Sequence, residues 1–270
     1  IDLLVVAGQL DGADHRAALQ GLAGALDLQV LDQDHAVAVG QPDESLGERV
    51  VAVVEADESF DLDECRRWFA EQGASTVGID ISPKMLALTM GLASRRGVGG
   101  AVAFVRAAAE ALPFPDGSFD IVFGRGTLHH VDVSATLDEV YRVLKGGGLA
   151  VFSEPLADNP VLNVYRRLNR SIRSPMETPI RRRDFARIAA AFDSFEHAEF
   201  KLVALAVLAW HYVKLKLTGA FHAGWFRDLD YGIACRRCYR CAQQIDGILL
   251  RLFPRLGRWC WLTVMVGRKR

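Results

Sequence analysis

Short apolar runs alternate with amphipathic segments through the middle of the chain, from residue 76 to residue 155. Between the last two runs, residues 136–144 place apolar side chains at helical spacing. The four runs have the length of buried strands, and they span residues 76–79, 102–105, 119–123 and 149–153. Because buried strands alternate with helices, the pattern predicts an α/β fold. The expected architecture is a Rossmann-like, doubly wound and mostly parallel sheet covered on both faces.

Turn and capping signals mark the boundaries of these elements. Ser82 and Pro83 have the character of a helix N-cap followed by proline at the first helical position. Residues 115–118 form a turn signal, and glycines 146–148 end the helix before the last strand. In a doubly wound sheet the ligand lies beyond the carboxyl ends of the strands. Three parts of the sequence are expected there: Asp80, residues 107–112 and residues 124–130.

Residues 1–73 predict a small α+β segment in front of this sheet. The expected strands are 2–8, 35–39 and 48–54, and the expected helices are 13–22 and 62–72. Within this segment, residues 50–54 can serve as the first strand of the large sheet. Residues 62–72 can then serve as its first helix.

The middle of the chain also carries a family resemblance. An acid ends the strand at 76–79, and AEALPFPDGSFDIV, LHHV and LDEVYRVLKGGG follow in that order. This series resembles class I S-adenosylmethionine-dependent methyltransferases, in particular the small-molecule branch that includes quinone-biosynthesis enzymes. The resemblance covers about residues 74–270, and residues 109–122 are its most specific part. It implies S-adenosylmethionine as the cofactor and methyl transfer to a small, apolar acceptor.

The resemblance assigns cofactor contacts to residues at the predicted strand ends. Asp80 maps onto the acid that binds the ribose hydroxyls, and a carboxylate suits a vicinal diol because it can accept two hydrogen bonds. The alternative for Asp80 is an ordinary strand-end aspartate that satisfies a turn. Arg125 can bind the cofactor carboxylate or pair with an aspartate. The full set of expected cofactor-binding residues is Asp80, Ile81, Ala109, Glu110, Gly124 and Arg125.

Residues on the acceptor side are assigned in the same way. His129 and His130 map between cofactor and acceptor, where one of them could act as a general base on a phenol or enol. The alternative is a histidine pair with a structural role. Glu154 ends the fourth strand and is expected either to contact the substrate or to cap a loop. Residues 156–258 map onto the region that builds the acceptor pocket.

The first 73 residues resemble a different family. Residues 36–73, from AVAVGQPDESLGERV to AEQG, are similar to the small C-terminal subdomain of adenylate-forming (AMP-binding) ligases. The large ATP-binding domain and the late catalytic lysine of those ligases have no counterpart here, so adenylation by this chain alone is not expected. The sequence therefore predicts two domains, 1–73 and 74–270, with a junction near residues 71–74.

The junction removes features that a methyltransferase of this class uses to hold its cofactor. Counted back at the family's spacing, the glycines of the cofactor loop fall on Ser59, Asp61 and Asp63. The acid for the adenine amino group is replaced by Ala108. Two alternatives to a methyltransferase therefore stay open. One is a cofactor-incompetent relative that acts as a binding module or is an inactive fusion, and the other is an accessory piece of an adenylate-forming ligase.

Charge and composition bear on three further classes of protein: nucleic-acid-binding, secreted and membrane-spanning. The 270 residues have a formal net charge of −1, but residues 1–140 carry 9 basic and 23 acidic side chains against 23 and 10 in residues 141–270. The basic residues are not interleaved with aromatic ones, so nucleic-acid binding is not expected. The sequence starts without a basic region, so no signal peptide is expected, and no apolar run is long enough to predict a membrane span.

Cysteine usage points to a reducing compartment. Five cysteines without a secretory signal predict a cytoplasmic location. Cys235, Cys238 and Cys241 form C-x-x-C-x-x-C, but no fourth cysteine lies close in the sequence. Their spacing fits one stripe of a helix, where buried thiols are inert, so no metal site is predicted.

Overall fold

The computed structural model describes residues 2–7, 37–38, 41–43, 47–49, 52–53, 75–95, 102–168, 178–220 and 236–270. The strands are β1 (Asp2–Ala7), β2 (Val37–Ala38), β3 (Gln41–Asp43), β4 (Gly47–Arg49), β5 (Ala52–Val53), β6 (Ser75–Asp80), β7 (Val102–Arg106), β8 (Phe119–Arg125), β9 (Leu144–Pro155), β10 (Ser194–Phe200) and β11 (Leu262–Arg268). The helices are α1 (Pro83–Arg95), α2 (Val133–Val143), α3 (Pro160–Leu168), α4 (Phe185–Ala189), α5 (Ala204–Leu217) and α6 (Arg236–Leu252). Short 3-10 helices cover Leu128–His130, Arg182–Asp184 and Pro254–Trp259.

Seven of the described strands form one sheet in the order β10-β11-β9-β8-β1-β6-β7. The pairs β6/β7 and β8/β9 are parallel. The central strand β1 is antiparallel to both of its neighbours, β6 and β8. Strand β11 is antiparallel to β9 and to the edge strand β10. The sheet is therefore mixed, with five strands in one direction and β1 and β11 in the other. The reversal of β1 departs from the expected mostly parallel arrangement.

The strand between β6 and β8 is not the one expected, since residues 50–54 were predicted to supply it. In that position the structure has β1, whereas β5 pairs with β2 in a separate two-stranded ladder. Both segments are continuous apolar runs of the kind that a central strand covered on both faces requires. The hydrophobic pattern therefore could not distinguish them, and the choice depends on tertiary pairing. The expected helix at 62–72 lies outside the described residues.

The apolar side of helix α2 packs against one face of the sheet and forms part of the core. Its buried residues Val133, Leu137, Val140 and Val143 recur at three- and four-residue intervals and join a cluster that includes Phe119 and Phe152 of the sheet. Asp132 begins the helix, since its side chain accepts a hydrogen bond from the Ala135 amide. At the other end, the Lys269 ammonium donates to the carbonyls of Tyr141 and Leu144. Both termini are thus capped by side chains.

The segment 195–208 divides into two elements. Strand β10 ends at Phe200, and α5 begins at Ala204. Lys201 breaks the strand with a positive φ of 64°. The Asp246 carboxylate of α6 then accepts hydrogen bonds from the amides of Leu202, Val203 and Ala204, so it caps α5 from another part of the chain.

Candidate active site

The carboxyl ends of four strands meet at one edge of the sheet. Because β1 is antiparallel to both β6 and β8, those two strands and their partners β7 and β9 all run in the same direction. Asp80, the loop 107–118, the turn 126–130 and Glu154 consequently lie at the same edge, as the sequence predicts for a ligand site. The amino end of β1 reaches this edge too, where Asp2 pairs with Arg125.

The reversed direction of β1 changes what the central strand contributes to the site. In a parallel arrangement the loop that leaves this strand would lie at the edge with Asp80. Here the carboxyl end of β1, Ala7, pairs with Ser75 at the opposite edge. The positions expected for the family's glycines, Ser59, Asp61 and Asp63, lie outside the described residues. Within the described residues, the carboxyl end of β1 therefore contributes nothing to the edge at Asp80.

Glu154 organises the turn that follows β8. Its side chain is fully buried, with 0% relative exposure. One carboxylate oxygen, Oε1, accepts hydrogen bonds from the amides of Thr127 and Leu128, both at 2.8 Å. The other, Oε2, lies 2.6 Å from Nδ1 of His129. These contacts correspond to the capping role of the two expected for Glu154, and contact with an acceptor stays a prediction.

His129 and His130 lie at the end of this turn. His129 is buried and bound to Glu154, while His130 is half-buried. Their ring centroids are 4.1 Å apart. The carbonyl of His129 also accepts a hydrogen bond of 2.7 Å from the Thr178 amide. The His129 ring is therefore held by a carboxylate, and its backbone by a second segment of the chain.

The turn needs a glycine at position 126. Gly126 has a φ of +60°, a conformation that side chains with a Cβ rarely adopt. Its amide donates to the carbonyl of Ser153 at 2.8 Å, which ties the turn to β9 directly before Glu154. A Cβ atom at this position would lie 3.5 Å from Cε1 of His129. Backbone and ring thus approach each other closely at this point.

Asp80 lies at the end of β6 with its side chain buried. Its Oδ1 accepts a hydrogen bond from the Ser82 amide at 2.6 Å, the contact of a strand-end turn. The neighbouring Ile81 exposes its side chain, and its carbonyl accepts from the Arg106 guanidinium. A carboxylate and an exposed apolar side chain therefore adjoin at this strand end. That combination fits the ribose and the base of a nucleoside.

The other expected cofactor residues occupy different environments. Ala109 is buried beneath the loop that follows β7. Glu110 accepts a hydrogen bond of 3.0 Å from the Asp132 amide, and so joins this loop to the start of α2. Gly124 is a buried residue of β8, paired with Phe152 and Leu3. Arg125 is placed only through its strand pairing, so both of its expected roles stay predictions.

A second charged contact, missed by the sequence analysis, holds the loop after β7. The Arg142 guanidinium binds both carboxylate oxygens of Glu139 at 2.8 Å. It also donates to the carbonyls of Leu112 and Phe114 and to Asp116. The Leu112 amide in turn donates to Glu139 at 2.7 Å. Two residues of α2 thus fix the conformation of residues 112–116.

The same contact shifts the ionisation of both partners. The bond to Arg142 lowers the pKa of Glu139 below its ordinary value, although partial burial opposes the shift. The hydrogen bonds that Arg142 donates to Glu139 and, second in size, to Asp116 raise the pKa of the guanidinium. The spacing of Glu139 and Arg142 within LDEVYRVLKGGG was the available signal, but an i, i+3 pair on a helix normally indicates only a surface ion pair.

Three of the five cysteines lie in the described residues: Cys238, Cys241 and Cys260. Cys238 and Cys241 are exposed along α6, so the expectation of buried thiols on one helical stripe is wrong. Cys238 is disulfide-bonded. Burial raises the pKa of the Cys260 thiol well above its ordinary value. Within the described residues, no cluster of three or more histidine, cysteine or acidic side chains could hold a metal ion.

The region 156–258, expected to build the acceptor pocket, contributes helices α3 to α6 and strand β10. Leu156 forms an isolated parallel bridge with Ile180. No helix in the described parts of the chain is both long and apolar enough to cross a membrane.

Comparison with known proteins supports the resemblance over part of the chain. Residues 63–152 match the family model described as a methyltransferase domain. This segment resembles a methyltransferase. The match begins 11 residues before the predicted domain start at residue 74 and ends within β9.

Two relatives match about a third of the chain. A demethylmenaquinone methyltransferase from Thermus thermophilus is 46% identical over 83 residues, which are 30% of this chain and 37% of the relative. A ubiquinone/menaquinone biosynthesis C-methyltransferase, UbiE, from Xanthomonas campestris is 44% identical over 91 residues, which are 32% of this chain and 36% of the relative. The chain thus spans less than two fifths of the length of these relatives. The matches show similarity to methyltransferases over about a third of this chain.

A solved structure can be compared over a larger share of the chain. The YcgJ protein from Bacillus subtilis covers 72% of this chain, and this chain covers 82% of that one. The two are 23% identical with a TM-score of 0.44.

Proposed function

We propose that this chain binds S-adenosylmethionine at the carboxyl ends of β6 to β9 and transfers its methyl group to a small, apolar acceptor. The observation that carries the proposal is the strand direction, because it brings Asp80 and the Glu154–His129 pair to one edge of the sheet. The residue expected to bind the cofactor and the expected base therefore lie at the same edge of the sheet. The names of the relatives favour a quinol as the acceptor.

The nucleoside half of the cofactor would be held at the end of β6. Asp80 would accept hydrogen bonds from the ribose hydroxyls through its carboxylate. The exposed side chain of Ile81 would lie against the base, and Ala109 and Glu110 would border it from the next loop. Gly124 and Arg125 at the end of β8 would line the methionine half. The bound cofactor supplies an electrophilic methyl group on a sulfonium.

His129 would act as the general base on the acceptor hydroxyl. Its Nδ1–H donates to Glu154, which fixes the tautomer that presents Nε2 as the proton acceptor. When Nε2 takes the proton of a quinol or phenol hydroxyl, the oxygen and the adjacent ring carbon become more nucleophilic. The buried carboxylate of Glu154 then stabilises the resulting imidazolium. His130, whose ring lies against His129, is the second residue that could fill this role.

The experiment is an assay of S-adenosylhomocysteine formation with S-adenosylmethionine and a short-chain demethylmenaquinol analogue. We expect His129→Gln to lower kcat by about a hundredfold or more with little change in the KM for S-adenosylmethionine. His197→Gln, an exposed histidine of β10, is the matched control and should keep the activity of the unmodified chain.

Two results would contradict the proposal. One is the absence of turnover with the quinol by protein that binds S-adenosylhomocysteine, which would reject this acceptor class. The other is equal activity of His129→Gln, His130→Gln and the control, which would remove the histidines from the chemistry.

A further inference from the structure

Helices α3, α5 and α6 form one packed layer that begins beside the carboxyl ends of β9 and β10. A buried cluster of Ala204 and Leu208 from α5 with Tyr239 and Ala242 from α6 joins two of them. Tyr165 of α3 packs edge-on against Tyr212 of α5, with ring centroids 5.3 Å apart. The cap that Asp246 provides for α5 adds a polar contact. The inner faces of the three helices therefore pack against other residues of this chain.

Each of these helices also exposes an apolar stripe. The exposed residues recur at i, i+3 and i+7 on all three helices, so each set lies on one side of its helix. They are Val161, Val164 and Leu168 on α3, Trp210, Val213 and Leu217 on α5, and Ile245, Ile248 and Leu252 on α6. Trp210 is 70% exposed and Leu217 is 81% exposed. Phe253, directly before the 3-10 helix that follows α6, and Trp259, the last residue of that helix, are exposed as well.

Nearly all charged residues of these three helices and of the 3-10 helix that follows α6 are basic. Helices α3 and α5 and the 3-10 helix 254–259 each carry two lysine or arginine residues, and α6 carries four arginines. The only acid in these four described elements is Asp246, which is buried and bound to the amino end of α5. Lys214, Arg251 and Arg255 are exposed beside the apolar stripes. The outer surface of the layer is therefore apolar and basic.

We infer that this layer docks on an anionic lipid surface, with its apolar stripes in the interface and its basic side chains at the head groups. Amphipathic helices with apolar and Lys/Arg-rich faces bind membranes by this combination of burial and charge. A second copy meeting the same face would bring like charges together, which is unfavourable. The stripes are too large and too regularly spaced to be scattered surface residues. The layer begins at the same edge of the sheet as the candidate active site, but docking on lipid does not depend on methyl transfer.

The test is sedimentation of the full chain with vesicles of phosphatidylcholine alone or with added phosphatidylglycerol. We expect binding to the anionic vesicles that weakens as salt is raised, because screening shortens the range of the charge interaction. The double variant Trp210→Ser/Leu217→Ser should reduce the partition coefficient at least about tenfold. Lys214→Glu/Arg255→Glu should reduce it by about a hundredfold or more and remove the preference for phosphatidylglycerol.

Matched controls lie on α1, outside the layer. Met90→Ser changes an exposed apolar residue and Lys84→Glu an exposed basic residue, and both should bind vesicles like the unmodified chain. Folded, monodisperse protein that does not sediment with anionic vesicles would overturn the inference. So would a dimer in light scattering that Trp210→Ser/Leu217→Ser converts to a monomer, since the face would then belong to a second copy.

Discussion

Two loops at the same edge of the sheet are held by charged side chains in different surroundings. The turn 126–130 is bound by Glu154, which is 0% exposed and lies within the sheet. The loop 112–116 is bound by Arg142, whose side chain is 31% exposed and lies on a helix at the surface. Both residues bind backbone groups, so the chemistry of the two contacts is similar. What differs is the access of water to the group that is left behind when the contact is lost.

This difference determines how much each contact stabilises the protein. Removing a buried carboxylate leaves amides that no water reaches, and each such group costs the full desolvation penalty. Carbonyls at the surface regain hydrogen bonds to water when a guanidinium is removed, and salt screens the ion pair. We therefore expect the turn that carries His129 to be the more sensitive of the two.

The largest effect is expected for Glu154→Ala. This change leaves the amides of Thr127 and Leu128 without their acceptor and should lower the free energy of unfolding by about 3–5 kcal/mol. Glu154→Gln is the matched control, because its carbonyl oxygen can still accept from both amides, and it should lose less than half as much. Urea denaturation followed by circular dichroism measures both values. Equal losses for the two variants would show that the charge, rather than the acceptor, stabilises the turn.

A smaller effect is expected for Arg142→Ala. The loss of its contacts with Glu139 and the carbonyls of residues 112 and 114 should lower the free energy of unfolding by about 1 kcal/mol after screening by water. Arg142→Lys keeps the charge but not the planar fork and should recover less than half of the loss. The same urea titration tests this order. A loss as large as that of Glu154→Ala would contradict the comparison.

The smallest effect concerns acid stability through Glu139. Its pKa is lower in the folded chain than in the unfolded chain, where 4.5 is the ordinary value. The stabilisation is therefore complete above about pH 4.5 and is lost as the pH falls through the folded-state value. Glu139→Gln should flatten this part of the stability–pH curve and leave the slope near neutral pH unchanged. Thermal unfolding of both proteins between acid and neutral pH measures it. Parallel curves would contradict the assignment.

The hydrophobic pattern was sufficient for most local elements of residues 75–155. The predicted strands at 76–79, 102–105 and 119–123 correspond to β6, β7 and β8, and the helical spacing at 136–144 corresponds to α2. These elements are covered on one or both faces, so burial imposes a clear period on their sequences. The direction of a strand within the sheet imposes no such period on its sequence. The apolar run of β1 is the same in either direction, and only its pairing with β6 and β8 shows that it is reversed.

The candidate site was predictable in its positions but not in its contacts. The strand ends placed Asp80, His129 and Glu154 at one edge from the order of elements alone. That Glu154 binds His129 follows from the tertiary arrangement of β8 and β9, because the residues are 25 positions apart. The role of Arg142 was hidden for a similar reason, since its loop contacts are 26 to 30 positions away.

The central claim, that this edge of the sheet binds S-adenosylmethionine through Asp80, is tested most directly by isothermal titration of the chain with S-adenosylhomocysteine. We expect saturable binding by the unmodified chain and a loss of at least about tenfold in affinity for Asp80→Asn, because the charged acceptor of the ribose hydroxyls is removed. Asp138→Asn, an exposed residue of α2, is the matched control and should bind like the unmodified chain. Folded protein that shows no binding, or equal affinity of Asp80→Asn and the control, would contradict the claim.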